Sequence, residues 1–117
     1  MASLPAATGA ARNLMWEHCR DSLGIARLLV QEGRPERLIS TACLMAVESA
    51  CRAALEELGA GYDGNLRRGL AVLHAPQGLL AGLDFGAGRE RLAATERAVA
   101  WLAVYLKERI PDRSWGY

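Results

Sequence analysis

Between Pro35 and Leu58 the chain carries two apolar stripes side by side at helical spacing, and this constrains the fold more than any other feature. Ile39, Cys43, Ala46, Ala50 and Ala53 form one stripe; Leu44, Val47, Cys51, Leu55 and Leu58 form the other. An ordinary surface helix shows an apolar arc of ~100°. Two adjoining stripes exceed that, so a helix here must be central or lie at a subunit contact. Small residues along it (Ala42, Ala46, Ser49, Ala50, Ala53, Ala54) let another helix approach closely, and Gly59-Ala60-Gly61 ends it. The surplus of apolar surface here and in the last helix implies more than one small bundle can bury, and hence a partner.

Other helices follow from the same spacing argument. From about Ala11 to Glu32, Met15, Cys19, Leu23, Ala26 and Val30 recur at three and four. Gly33 stands where a left-handed residue would close that helix, and Pro35 fits the first turn of the next. Glu36 places negative charge at the new N-terminus, where the helix dipole favours it. Asp63-Gly64 marks a turn, and Asn65 is placed to cap a short helix ending near His74-Ala75-Pro76. A further short piece, Pro76 to Leu83, is diluted by Gly78, Gly82, Gly86 and Gly88. The last helix runs from about Arg89 to Ile110, with Leu92, Val99, Leu102, Leu106 and Ile110 as its stripe, and Pro111 stops it. No stretch alternates with period two. The expectation is an all-α protein, an antiparallel up-and-down bundle of four to five helices. Residues 1–10 read as a frayed lead-in and residues 11–117 as a single domain.

The chain has 117 residues, one domain's worth, with 14 Lys+Arg against 13 Asp+Glu. That balance disfavours bulk duplex DNA or an anionic membrane as partner. The three cysteines cannot all pair within one chain. Cys43 and Cys51, eight residues apart on a helix, are separated by roughly 12 Å, against about 7 Å for a disulfide. Reduced, buried thiols point to the cytoplasm. The N-terminus lacks a charged region ahead of an apolar run, and AVAWLAVYL is too short to span a bilayer. No membrane association is expected.

The segment WEHCRDSLGIARLLVQEGRPERLISTACLMAVESACRAALEELG resembles the start of a HEPN domain, the helical bundle named for higher eukaryotes and prokaryotes nucleotide-binding. The likeness falls on Leu23-Gly24-Ile25-Ala26-Arg27-Leu28-Leu29 with Gly33, then on Ala42, Ala46, Glu48, Ala50, Arg52, Ala53, Leu55 and Gly59. ATERAVAWLAVYLKERI has the place and length of that family's closing helix. The resemblance implies a homodimer, and in many members an Arg followed four to six residues later by His, paired across the dimer cleft to cut RNA without metal. Other members lack the motif and act as partners of small nucleotidyltransferases in toxin-antitoxin-like systems. Here the one match is Arg68 to His74, in the third helical segment. Active members usually carry the motif later, and Arg89 to Ile110 holds no His. The resemblance therefore implies a noncatalytic interaction module.

Three groups of residues are candidates for chemistry. Arg68 and His74 would supply charge stabilisation and proton transfer to a metal-independent ribonuclease. Six residues apart on one helix they sit ~120° from each other, so they meet only if the helix ends before His74. Glu48 and Arg52, the charges in the middle of the second helix, form a polar spot where a bundle would take a small ligand or nucleotide. Arg67, with Arg68, Arg89 and Arg91, offers a small phosphate-attracting patch. Glu17, His18 and Asp21 lack the spacing of a metal site. No nucleophile elbow or phosphate loop is present. Neither metal nor cofactor is expected, and Trp115-Gly116-Tyr117 should fold back onto the bundle or meet a partner.

Overall fold

A computed structural model describes residues 3–111 and 115–117. Five helices follow in order: α1 (Ser3–Gln31), α2 (Glu36–Glu57), α3 (Leu66–Val72), α4 (Ala81–Phe85) and α5 (Arg89–Arg109), with a 3₁₀ turn, Gln77–Leu80, before α4. No strand occurs among the described residues, and the architecture is an all-α helical bundle.

Helix ends fall where the local chemistry requires. Gly33 takes φ 64°, its N–H donates to the Val30 carbonyl at 3.1 Å, and the Arg34 N–H reaches back to Leu29 at 2.9 Å. Gly59 repeats the arrangement at φ 70°, with the Ala60 N–H on the Leu55 carbonyl at 2.9 Å. Each closes a helix with the paired backbone bonds of a left-handed cap. Asn65 accepts the Arg68 N–H through its side chain at 3.0 Å and starts α3 as expected. The N-terminal end differs. α1 begins at Ser3, so the stretch read as a lead-in is helical. Pro5 falls in the first turn, where a missing N–H removes no helical bond, and the alanines that follow favour helix without an apolar stripe.

α2 is the centre of the core. Ten of its residues are buried, covered mainly by α1 and α5, with smaller contacts from α3 and α4. From α1 come Trp16, Cys19, Leu23 and Ala26; from α5, Ala98, Val99, Leu102 and Leu106. By length and composition α2 is apolar enough to cross a bilayer, but most of that surface is spent inside the bundle. The expected surplus on α2 and α5 is thus largely absent. Val47, Cys51 and Leu55 of the second stripe are covered with the first, while Leu44 and Met45 on α2, Leu58 just after it and Val104 on α5 stay half exposed. The reason is close approach: small α2 side chains let α1 and α5 sit on both stripes at once. Gly69 serves the same end in α3, since a Cβ there would stand 3.0 Å from Cys51 Sγ. In α4 a methyl on Gly82 would run into Ala94 Cβ.

Cys19, Cys43 and Cys51 are all free and buried. Burial pushes the Cys19 and Cys51 thiols up to about 12 and also raises Cys43. Arg12 on α1 pairs with Glu57 at the end of α2 at 2.9 Å, while residues 32–35 join the opposite ends, so α1 and α2 form a helical hairpin. Residues 115–117 lie against the bundle, one of the two placements expected for them. Trp115 is buried, edge-on to Trp16 with ring centroids 5.5 Å apart, and the Trp16 indole N–H donates to the Gly116 carbonyl at 3.1 Å.

Candidate functional site

α3 ends at Val72, so the condition for Arg68 and His74 to converge is met, yet the Arg68 side chain is engaged elsewhere and the His74 backbone is used to close the helix. The Arg68 guanidinium pairs with Asp63. That carboxylate also accepts the Asn65 N–H at 2.9 Å. The Asn65 N–H holds the Asp63 carboxyl below its usual range, against an opposing effect of desolvation, and Arg68 adds to the lowering. His74 is the residue that closes α3. Its φ is 59°, its N–H donates to Ala71 at 3.0 Å, and the Ala75 N–H donates to Leu70 at 3.0 Å. This is the arrangement glycine provides at residues 33 and 59. The His74 side chain is exposed.

Glu48 and Arg52 do come together, around a third residue that the sequence did not single out. Tyr62, from the connection after α2, donates its hydroxyl to Glu48 at 2.7 Å, and the Arg52 guanidinium lies 4.9 Å from its ring centroid. Burial, then the Glu48 carboxylate, raises the Tyr62 phenol well above its ordinary value, so it stays a donor. The aromatic three residues past Gly59 was the available signal. Glu48 and Arg52 line a groove of about 400 Å³ between α1 and α2, opposite His18 and Asp21 and beside Met45. His18 and Asp21 thus face the candidate pair. No cluster of His, Cys, Asp and Glu with metal-binding geometry exists among the described residues.

Arg67 and Arg91 stand on a larger groove, about 730 Å³, with Ser40, Asn65 and Asp84. Both guanidinium groups are matched to carboxylates. Arg67 pairs with Asp84, and Arg91 donates to Glu36 at 2.7 Å, to Ser40 Oγ at 3.3 Å and to the Leu83 carbonyl. Three of the four arginines of the expected phosphate patch (Arg67, Arg68, Arg91) are therefore neutralised by neighbours, which weakens their field for an anion.

The outer face of α1 is the feature the sequence reading passed over. Leu14, Ile25 and Leu28 are 48%, 54% and 53% exposed. With the exposed His18 and Asp21 they follow one another at spacings of four, three, four and three. That is the narrow seam of a coiled coil rather than the broad stripe of a core-facing helix. Two polar residues in its middle hid it from a search for apolar periodicity. No family model matches this chain, and neither a curated protein nor a solved structure does.

Proposed function

We propose that this protein is a noncatalytic interaction module, an up-and-down helical bundle that self-associates through the outer face of α1. One observation carries the reading: three large aliphatic side chains, Leu14, Ile25 and Leu28, are each about half exposed on one helix face with heptad spacing. Exposed apolar surface costs about 25 cal/mol per Å² relative to burial, and a seam of this spacing matches another helix. The up-and-down topology draws support from the Arg12–Glu57 and Trp16–Gly116 contacts, which bring the first half of α1 to the far end of α2 and to the residues after α5.

A noncatalytic role is favoured by the pairing of the Arg68 guanidinium with Asp63, which occupies the cation a ribonuclease would need. A second copy of the chain is the partner argued for, since the seam of Leu14, His18, Asp21, Ile25 and Leu28 is self-complementary when two copies meet antiparallel. The small nucleotidyltransferase implied by the HEPN resemblance is the alternative partner, and RNA the alternative substrate.

Light scattering across a concentration series tests the proposal. The native chain should reach twice the monomer mass at high micromolar concentration, and Ile25→Glu with Leu28→Glu should hold it at the monomer mass with unchanged helicity. A native chain that stays monomeric at every concentration contradicts it.

A further inference from the structure

We propose that two copies pair α1 against α1 in antiparallel register, about a two-fold axis between Cys19 and Arg20. Leu14 then packs on Ile25 of the partner subunit, and His18 meets Asp21 of the partner subunit. The inference rests on the self-association proposed above and specifies its geometry.

The seam itself fixes the register. In an antiparallel pair, each first-position residue of the heptad faces a fourth-position residue of the other helix. Along α1 the fourth positions are Leu14, Asp21 and Leu28, and the first positions are His18 and Ile25. The antiparallel layers nearest the centre are consequently Leu14 with Ile25 and His18 with Asp21, each occurring twice by symmetry. Aliphatic meets aliphatic, and a base meets an acid.

The polar pair also selects the direction. Parallel pairing in register would set Asp21 against Asp21, and like charges across an interface are strongly disfavoured. Across the axis, the antiparallel arrangement makes the two polar residues complementary to each other, beside the Glu48 and Arg52 they face across the groove between α1 and α2. A two-fold interface of this kind is self-complementary, as the commonest homodimers are.

Gly24 supplies an independent observation. It lies inside α1, exposed, and a Cβ built on it meets nothing within 4 Å. Glycine within a helix costs about 0.5–1 kcal/mol relative to alanine, and no described residue packs where its side chain would stand. Gly24 sits directly beside the seam, where a missing side chain lets a second helix come close. On the other side of the seam, Met45 of α2 is 52% exposed and lines the groove next to His18 and Asp21. It forms an apolar shoulder for the incoming helix.

A charge exchange tests the register. His18→Asp and Asp21→His should each weaken the dimer about tenfold, because each opposes like groups across the axis. The double variant should recover native affinity, measured by sedimentation equilibrium with helicity checked by circular dichroism. Gly24→Ala should raise the thermal midpoint of the monomer while weakening the dimer. Single variants that dimerise normally, or a double variant as weak as the singles, overturn the register while leaving self-association standing. A native chain without any dimer overturns both.

Discussion

Glu36 and Arg91 tie the start of α2 to the start of α5. One Glu36 oxygen accepts the Arg91 Nε at 2.7 Å, and the other accepts the Gly88 backbone N–H at 2.9 Å. The carboxylate thereby supplies α5 with an N-terminal acceptor from 52 residues away. Arg91 is mostly covered, with 16% of its side chain exposed. Arg91→Leu should cost about 2 kcal/mol, since it removes a mostly covered guanidinium and its charged bond to Glu36 and leaves the Leu83 carbonyl without that donor. By contrast Arg67→Ala, which removes the exposed pair with Asp84, should cost under about 0.5 kcal/mol. Urea midpoints at unchanged slope separate the two.

His74 offers a test of the noncatalytic reading that reads stability instead of activity. A non-glycine residue in the left-handed region costs on the order of 1 kcal/mol. His74→Gly should therefore raise stability by about 0.5–1 kcal/mol after the added chain entropy of the unfolded state. RNA incubated with the native chain and EDTA should remain intact. Cleavage by the native chain that is lost in His74→Gly would assign His74 to chemistry.

Gly82 should tolerate nothing larger. Because a Cβ there collides with Ala94, Gly82→Ala must push α4 off α5, at about 1–3 kcal/mol. The change should appear in the denaturation midpoint and in faster hydrogen exchange of α4.

These elements divide by how local their causes are. The caps at Gly33, Gly59 and Asn65 and the central position of α2 were legible because each depends on a few consecutive residues or on periodicity. The helical start at Ser3 was not, since alanine propensity leaves no stripe to read. Nor was the Glu36–Arg91 tie, whose partners meet only after the bundle forms. Among the candidate-site residues, the i, i+4 spacing of Glu48 and Arg52 placed them together, but Tyr62 joined them through a connection without periodicity. The covering of α2 was misjudged because apolar width was counted without the close approach that alanine permits. The α1 seam escaped because His18 and Asp21 interrupt it.

The buried thiols predict a loss of stability in alkali. Cys19 and Cys51 carry pKa values raised to about 12 from 9.0. A raised folded-state value means the unfolded chain releases its protons first. Their contribution is complete below pH 9.0, declines as the pH rises and is lost by about 12. At pH 10 each thiol should have cost on the order of 1 kcal/mol. Cys51→Ala should flatten this dependence between pH 8 and 10 relative to the native chain, followed by chemical denaturation under reducing conditions.

The most direct test of self-association through α1 is sedimentation equilibrium of the native chain beside Leu14→Glu. The account predicts a monomer–dimer equilibrium for the native chain, built from the 12.6 kDa protomer, and a folded monomer for the variant. Equal masses for the two proteins at every concentration would contradict it.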